Sequence, residues 1–147
     1  MPPIVLNIEI ARPPDEVFSY VTDPSRFAEW QADAVRGRLE GGSPPGVGSR
    51  FITTRRVGRV ERTTTSEITE VNPPSSWAYH GVDGPIRAIT HVTVAPLGDS
   101  AGSRVTIDVD FQGHGIGKLL VPLVRWLGRK GSPANSRNLK ERLEGGD

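Results

Sequence analysis

The chain has 147 residues, a formal net charge of +1 and no cysteine. That length holds one domain with a sizeable core. The near-neutral balance gives no global drive toward nucleic acid or membrane, and the lack of cysteine excludes a disulfide framework and thiol chemistry. The N-terminal Met-Pro-Pro-Ile-Val-Leu-Asn carries no basic region and no long apolar run. It therefore reads as neither signal peptide nor membrane span, and the expected location is cytoplasmic.

In chain order, Ile4, Leu6, Ile8 and Ile10 alternate with other residues and predict a first strand. Pro14 suits the first turn of a helix, with Asp15 and Glu16 at its positive end and Val17, Phe18, Tyr20 and Val21 at helical spacing. Asp23-Pro24 closes that helix and opens a second short one, with Asp23 as cap and Phe27 and Trp30 facing the core. Val35–Leu39 is a weak strand. Glu40–Gly48, rich in Gly and Pro, is a loop and a candidate gate over a cavity. Ser49–Arg56 and Arg59–Val71 read as strands joined by a tight turn at Val57-Gly58. Trp77–Val82, Ile86–Ala95 and Ser103–Gln112 complete the strands, the last with Val105, Ile107, Val109 and Phe111 on one face.

Even-spaced turns give these strands one concave face. It carries Phe51, Thr53, Arg55, Val60, Arg62, Thr64, Ser66, Ile68, Trp77, Tyr79, Ala88, Thr90, Val92 and Val94, together with the apolar side of the last strand. The face is too polar for a dry core and suits a ligand cavity better. The longest helix-period pattern lies in Gly117–Leu127. Ile116, Leu119, Leu120, Leu123, Val124, Trp126 and Leu127 fall within one arc of roughly 160°, with Lys118, Arg125 and Arg129 opposite. This predicts that Leu120, Leu123 and Val124 face the sheet, which curves around the helix as a single antiparallel layer. Beyond Gly131-Ser132-Pro133, Leu139 and Leu143 leave that arc, which predicts a kink or a separate short helix.

The run from Pro13-Pro14-Asp15-Glu16-Val17-Phe18 to Asp23-Pro24-Ser25-Arg26-Phe27-Ala28-Glu29-Trp30 resembles the opening of the polyketide cyclase/dehydrase-like proteins of the START/Bet v 1-like (SRPBCC) superfamily. Gly48-Ser49-Arg50-Phe51, Glu67-Ile68-Thr69-Glu70-Val71-Asn72-Pro73-Pro74 and Leu139-Lys140-Glu141-Arg142-Leu143-Glu144 fit the same pattern, so the resemblance spans the whole chain as one domain. It implies an α+β helix-grip fold: a seven-stranded antiparallel sheet, two short helices after the first strand, and a long C-terminal helix over a deep apolar cavity. That family includes lipid carriers, hormone receptors and cyclases, so the resemblance specifies fold more than function.

Groups that bear chemistry are sparse. Gly113-His114-Gly115-Ile116-Gly117 precedes a helix, but too little chain follows for a dinucleotide-binding βαβ unit, and the glycines serve a strand-to-helix turn. His80 and His91 face outward with no carboxylate at metal-ligand spacing, so no metal site and no cofactor are expected. His114, placed at the cavity mouth, is the best acid/base candidate. Asp108 and Asp110 read as solvated outer-face residues. Arg55, Arg56, Arg59 and Arg62 crowd one hairpin without interleaved aromatics, which argues against nucleic acid. They form either a solvated strand end or, through Arg55 and Arg62, a site for the anionic head of a ligand.

The expected binding residues are thus Trp30, Phe51, Thr53, Arg55, Arg62, Thr64, Ser66, Trp77, Tyr79, Ile107, Val109 and Phe111 on the sheet side, with Leu120, Leu123 and Val124 from the helix. The leading functional reading is a monomer or homodimer that binds a small hydrophobic or amphipathic ligand of lipid, polyketide or isoprenoid type. The alternatives are an aromatase/cyclase-type enzyme using the same cavity, its catalytic residues unidentified, and a ligand-responsive regulatory protein.

Overall fold

The computed structural model describes residues 4–31, 33–40, 46–57, 59–98 and 102–145, with the side chain of Val57 left out. Most of the loop expected as a gate, residues 41–45, and Gly58 of the hairpin turn lie outside the described residues.

The strands are β1 (Ile4–Ile10), β2 (Ala34–Leu39), β3 (Arg50–Val57), β4 (Val60–Asn72), β5 (Ser76–Gly81), β6 (Ile86–Pro96) and β7 (Ser103–Gly113). They form one antiparallel sheet in the order β1-β7-β6-β5-β4-β3-β2. After β1 come α1 (Pro14–Val21), a 3₁₀ turn (Pro24–Arg26) and α2 (Phe27–Trp30); α3 (Gly117–Glu144) closes the fold. Pro14 sits in the first turn of α1, where a missing N–H costs nothing. The Asp23 carboxylate accepts from the Ser25 N–H at 3.0 Å, which is the cap expected from the sequence.

The register brings most of the expected inward face together, but Val60 and Arg62 at the hairpin end are exposed. Phe51 pairs with Ser66, Thr53 with Thr64 and Arg55 with Arg62. Trp77 pairs with Val92 and Tyr79 with Thr90, and these continue to Ile107 and Val109. An irregularity between Ile68 and Glu70 adds one residue to β4, so that Val71 rather than Glu70 stands opposite Trp77. Ile8, Ile10, Val17, Val21, Phe27, Phe51, Ile68, Trp77, Val105 and Leu139 are the centre of the core.

Two expectations about α3 are corrected. First, the helix does not bury its most apolar arc. Ile116, Leu119, Leu120, Leu123, Trp126 and Leu127 are exposed. The buried line is instead Gly117, Val121, Ser132 and Leu139, a face rotated by well over 90° at about 100° per residue. Close approach explains the choice. A Cβ at Gly128 would lie 2.8 Å from Ile4 Cδ1, so small residues let the helix sit down on β1 and β7. Second, the helix does not stop at Gly131-Ser132-Pro133 but runs unbroken from Gly117 to Glu144. Measured along the line that is actually buried, Leu139 is in phase with Val121 and Ser132, and the phase change vanishes. Ser132 Oγ donates to the Gly128 carbonyl at 2.7 Å one residue before Pro133.

The C-terminal half of α3 is tied down by polar contacts. Glu144 Oε2 accepts from the Ala11 N–H at 2.9 Å and from Lys140 Nζ at 2.7 Å, while Lys140 also donates to the Glu9 carbonyl. Arg12 Nε donates to the Leu143 carbonyl and Arg142 Nε to that of Glu29. The Lys140 hydrogen bond, then the Ala11 N–H, hold the Glu144 carboxyl below the ordinary glutamate range. A depressed folded-state pKa stabilises the fold above the unfolded value, and that stabilisation is lost as pH falls through the folded value. Thermal unfolding between about pH 7 and about pH 3 is expected to show a falling midpoint at the acid end. Glu144→Gln should cost about 1 kcal/mol near neutrality and flatten that acid limb. An unchanged limb would assign the acid sensitivity to other carboxylates.

Candidate functional site

A cavity of about 170 Å³ lies between the sheet, α1, α2 and α3. It is below the roughly 300–1,000 Å³ of drug-sized sites. Its floor is Ala88, Thr90 and Val92 of β6 with Ile107, Val109 and Phe111 of β7. Ile4 and Leu6 of β1 close one side. Trp77 and Tyr79 of β5, with Phe27 and Trp30 of α2, close the other. Gly128, Ser132 and Asn135 of α3 form the roof.

Of the residues expected around a ligand, Trp30, Arg55, Trp77, Tyr79, Ile107, Val109 and Phe111 therefore stand on this wall. The others do not. Phe51 is consumed by packing, its ring centroid 4.8 Å from Tyr79, 5.8 Å from Trp77 and 6.0 Å from Phe27. Thr53 and Ser66 are buried outside the cavity, and Thr64 stands opposite Thr53 with their hydroxyls 3.5 Å apart. Leu120 and Leu123 are exposed, and Val124, half-buried, does not reach the cavity, because α3 presents its small-residue face instead. Sequence reasoning missed Gly128, Ser132 and Asn135. The available signal was the recurrence of small residues at Gly117, Gly128 and Ser132, spaced to share one helix face.

Arg55 is the charged group at the rim. Its Nη1 donates to Gln31 Oε1 and, at 3.0 Å, to Asp33 Oδ1. Asp33 comes from the turn before β2, and the pairing of Ala34 with Arg55 brings it alongside. Arg62 is exposed and off the wall. The two guanidiniums do not converge on one anion site.

His114 is not at the mouth of this cavity. It is exposed and lines a separate open groove of about 540 Å³ on the outer sheet face with His80, Arg87, Ile89 and Gln112. His91 faces outward, as expected, and its Nε2 lies 3.4 Å from Glu70 Oε2. Asp110 is not simply solvated. Although partial burial pulls the other way, hydrogen bonds from Arg125 and the Phe111 N–H hold its carboxyl below the ordinary aspartate range.

Two polar atoms in this region are fully buried without a hydrogen-bond partner: the Trp30 indole Nε1 and the Thr90 Oγ1. Both residues line the cavity. Indole N–H is a donor only, whereas a hydroxyl can donate and accept. Each unmet group costs about 1–3 kcal/mol.

This combination defines a class of protein: an α+β helix-grip domain, its sheet curled against a long C-terminal helix over an internal, mainly apolar cavity. The chain belongs to the family described as polyketide cyclase / dehydrase and lipid transport, whose model matches residues 1–144. No curated protein matches the sequence. Solved structures share the fold at low identity. The di-domain aromatase/cyclase BexL of the BE-7585A biosynthetic pathway is 16% identical with a TM-score of 0.74; the match covers 98% of this chain and 47% of BexL, so this chain spans about half of that protein. A START superfamily protein from Mycobacterium smegmatis is 14% identical with a TM-score of 0.79, covering 99% of both chains. The Zhui aromatase/cyclase from Streptomyces sp. R1128 is 14% identical with a TM-score of 0.75, covering 97% of this chain and 93% of Zhui.

Proposed function

We propose that this protein binds a small, largely apolar molecule that carries one oxygen acceptor, such as a ketone, in the cavity between the sheet and α3. The observation that carries the reading is the pair of unpartnered buried groups, Trp30 Nε1 and Thr90 Oγ1, in a wall that is otherwise mostly hydrocarbon. A ligand oxygen that meets one of them offsets the desolvation cost of an unpaired buried group. Arg55 contributes less to such binding than its charge suggests, because its Nη1 is engaged by Gln31 and Asp33 and its charge is paired with Asp33. The family's description, which joins cyclase/dehydrase activity with lipid transport, supports the same class of ligand. Among the described residues, the ionisable side chains on the wall are Asp33, Arg55 and Tyr79, with Asp33 and Arg55 held in one ion pair. That favours binding over proton shuttling.

The test is Thr90→Val, which removes the hydroxyl and keeps the shape. Without ligand the variant should be more stable than wild type by about 1 kcal/mol, because an unpaired buried hydroxyl is replaced by a methyl. Calorimetry with a linear ketone and the alkane of the same length should show wild type preferring the ketone, and the variant losing about tenfold of that preference. If neither ligand binds, the cavity is not a ligand site. If Thr90→Val weakens both equally, the hydroxyl is not the contact.

A further inference from the structure

The exposed side of α3 is the least expected feature of the molecule. Single exposed apolar residues are ordinary, but a contiguous set on one helix face is not. Leu119 is 81% exposed and Trp126 56%, and Ile116, Leu120, Leu123 and Leu127 share their side of the helix. The charge around them has one sign. From Phe111 to Lys140 the sequence has no Asp or Glu, and Lys118, Arg125, Arg129, Lys130, Arg137 and Lys140 are all cationic. Arg125 is bound to Asp110 and Lys140 to Glu144. Lys118 stands beyond the Trp126 edge of the arc, and Lys130 lies on the arc near its C-terminal end with its ammonium 5.0 Å from the Trp126 ring centroid. The whole chain is close to neutral, so this face is a local concentration of charge.

We propose that the Ile116–Leu127 face of α3 docks on the surface of an anionic phospholipid bilayer, lying in the interface plane with Lys118 and Lys130 at headgroup level. Three features favour this occupant. An exposed apolar arc that carries a tryptophan and is accompanied by cations alone is the pattern of an interfacial helix. No helix of the described residues is long and apolar enough to cross a membrane, so the face lies on a bilayer rather than spanning it. In a symmetric pair of these helices the same cations would face one another with no carboxylate on the segment to pair them, whereas anionic lipid supplies both hydrocarbon and counter-charge. The proposal does not depend on the cavity's ligand, since the docking face and the cavity-lining face of α3 point to different sides.

The purified full chain is mixed with vesicles of phosphatidylcholine alone, or with roughly 30% phosphatidylglycerol added, and binding is read by flotation and tryptophan emission. Trp30 and Trp77 are buried, so Trp126 dominates the response to the surface. Wild type should float with anionic vesicles and shift its emission to the blue, more weakly as salt rises. Lys118→Gln/Lys130→Gln should weaken binding about fivefold per cation. Leu119→Ser/Leu123→Ser should weaken it by at least about tenfold. Both pairs are exposed, so the melting midpoint should hold; if the serine pair melts early, Leu119→Ala/Leu123→Ala takes its place. Absence of anionic-vesicle binding, equal binding to neutral vesicles, or indifference to the leucine changes overturns the proposal. A wild-type dimer that the leucine changes make monomeric, without vesicle binding, assigns the face to a second copy instead.

Discussion

Trp77→Ala is expected to destabilise the protein by about 3–5 kcal/mol. Trp77 is buried on β5, with ring centroids 4.9 Å from Tyr79, 5.8 Å from Phe51 and 6.4 Å from Phe27. Truncation removes the transfer energy of the indole, three aromatic contacts worth about 0.5–1.5 kcal/mol each beyond area, and leaves a void next to one that already exists. The neighbouring rings belong to β3, β5 and α2, so no single element can move in to fill it. For a domain of this size the loss corresponds to a fall in melting midpoint of roughly 10 °C. The same change joins the present cavity to the space beside Phe51, so a fluorescent fatty-acid probe should bind the variant with altered affinity. A loss below about 1 kcal/mol would mean that the aromatic cluster collapses onto the gap, and probe binding would then stay as in wild type.

What the sequence revealed depended on which physical signal was dominant in each element. Strand parity was legible because the period of two leaves no choice: once Val105, Ile107 and Val109 face inward, Thr90 and Val92 must follow through the register. The Asp23 cap and Pro14 were legible because their roles are local. The orientation of α3 was not. The hydrophobic-arc argument assumes that burial of large apolar side chains sets helix rotation. Here close contact with Ile4 and Phe111 at Gly128 sets it, so the arc that reads as core lies in solvent. The same error displaced the roof of the cavity from Gly128, Ser132 and Asn135 to Leu120, Leu123 and Val124. Arg55's partner was hidden for a different reason. Asp33 is distant in the hairpin that Arg55 belongs to, and only the β2–β3 register makes them neighbours. Long-range polar pairing leaves no periodic trace in a single sequence.

Gly117→Ala is expected to lower stability by about 1–3 kcal/mol or more even though alanine favours helix by about 1 kcal/mol over glycine. Gly117 is the first residue of α3 and buried against the turn between β5 and β6. A Cβ there would overlap the Pro85 carbonyl oxygen and stand 2.5 Å from the Pro85 carbonyl carbon, which is backbone and cannot rotate away. The Pro85 carbonyl also accepts from the His114 N–H at 2.8 Å, so pushing it aside breaks a bond that sets the strand-to-helix turn. The contrast is Gly131→Ala in the same helix. Nothing lies within 4 Å of a Cβ there, so that change should stabilise by about 0.5–1 kcal/mol through the unfolded chain and helix propensity alone. Denaturant unfolding of both variants should move the midpoints in opposite directions at constant slope. If Gly117→Ala also stabilises, the start of α3 stands further from Pro85 than this packing requires, and the N-terminal half of the helix is free to lift from the sheet.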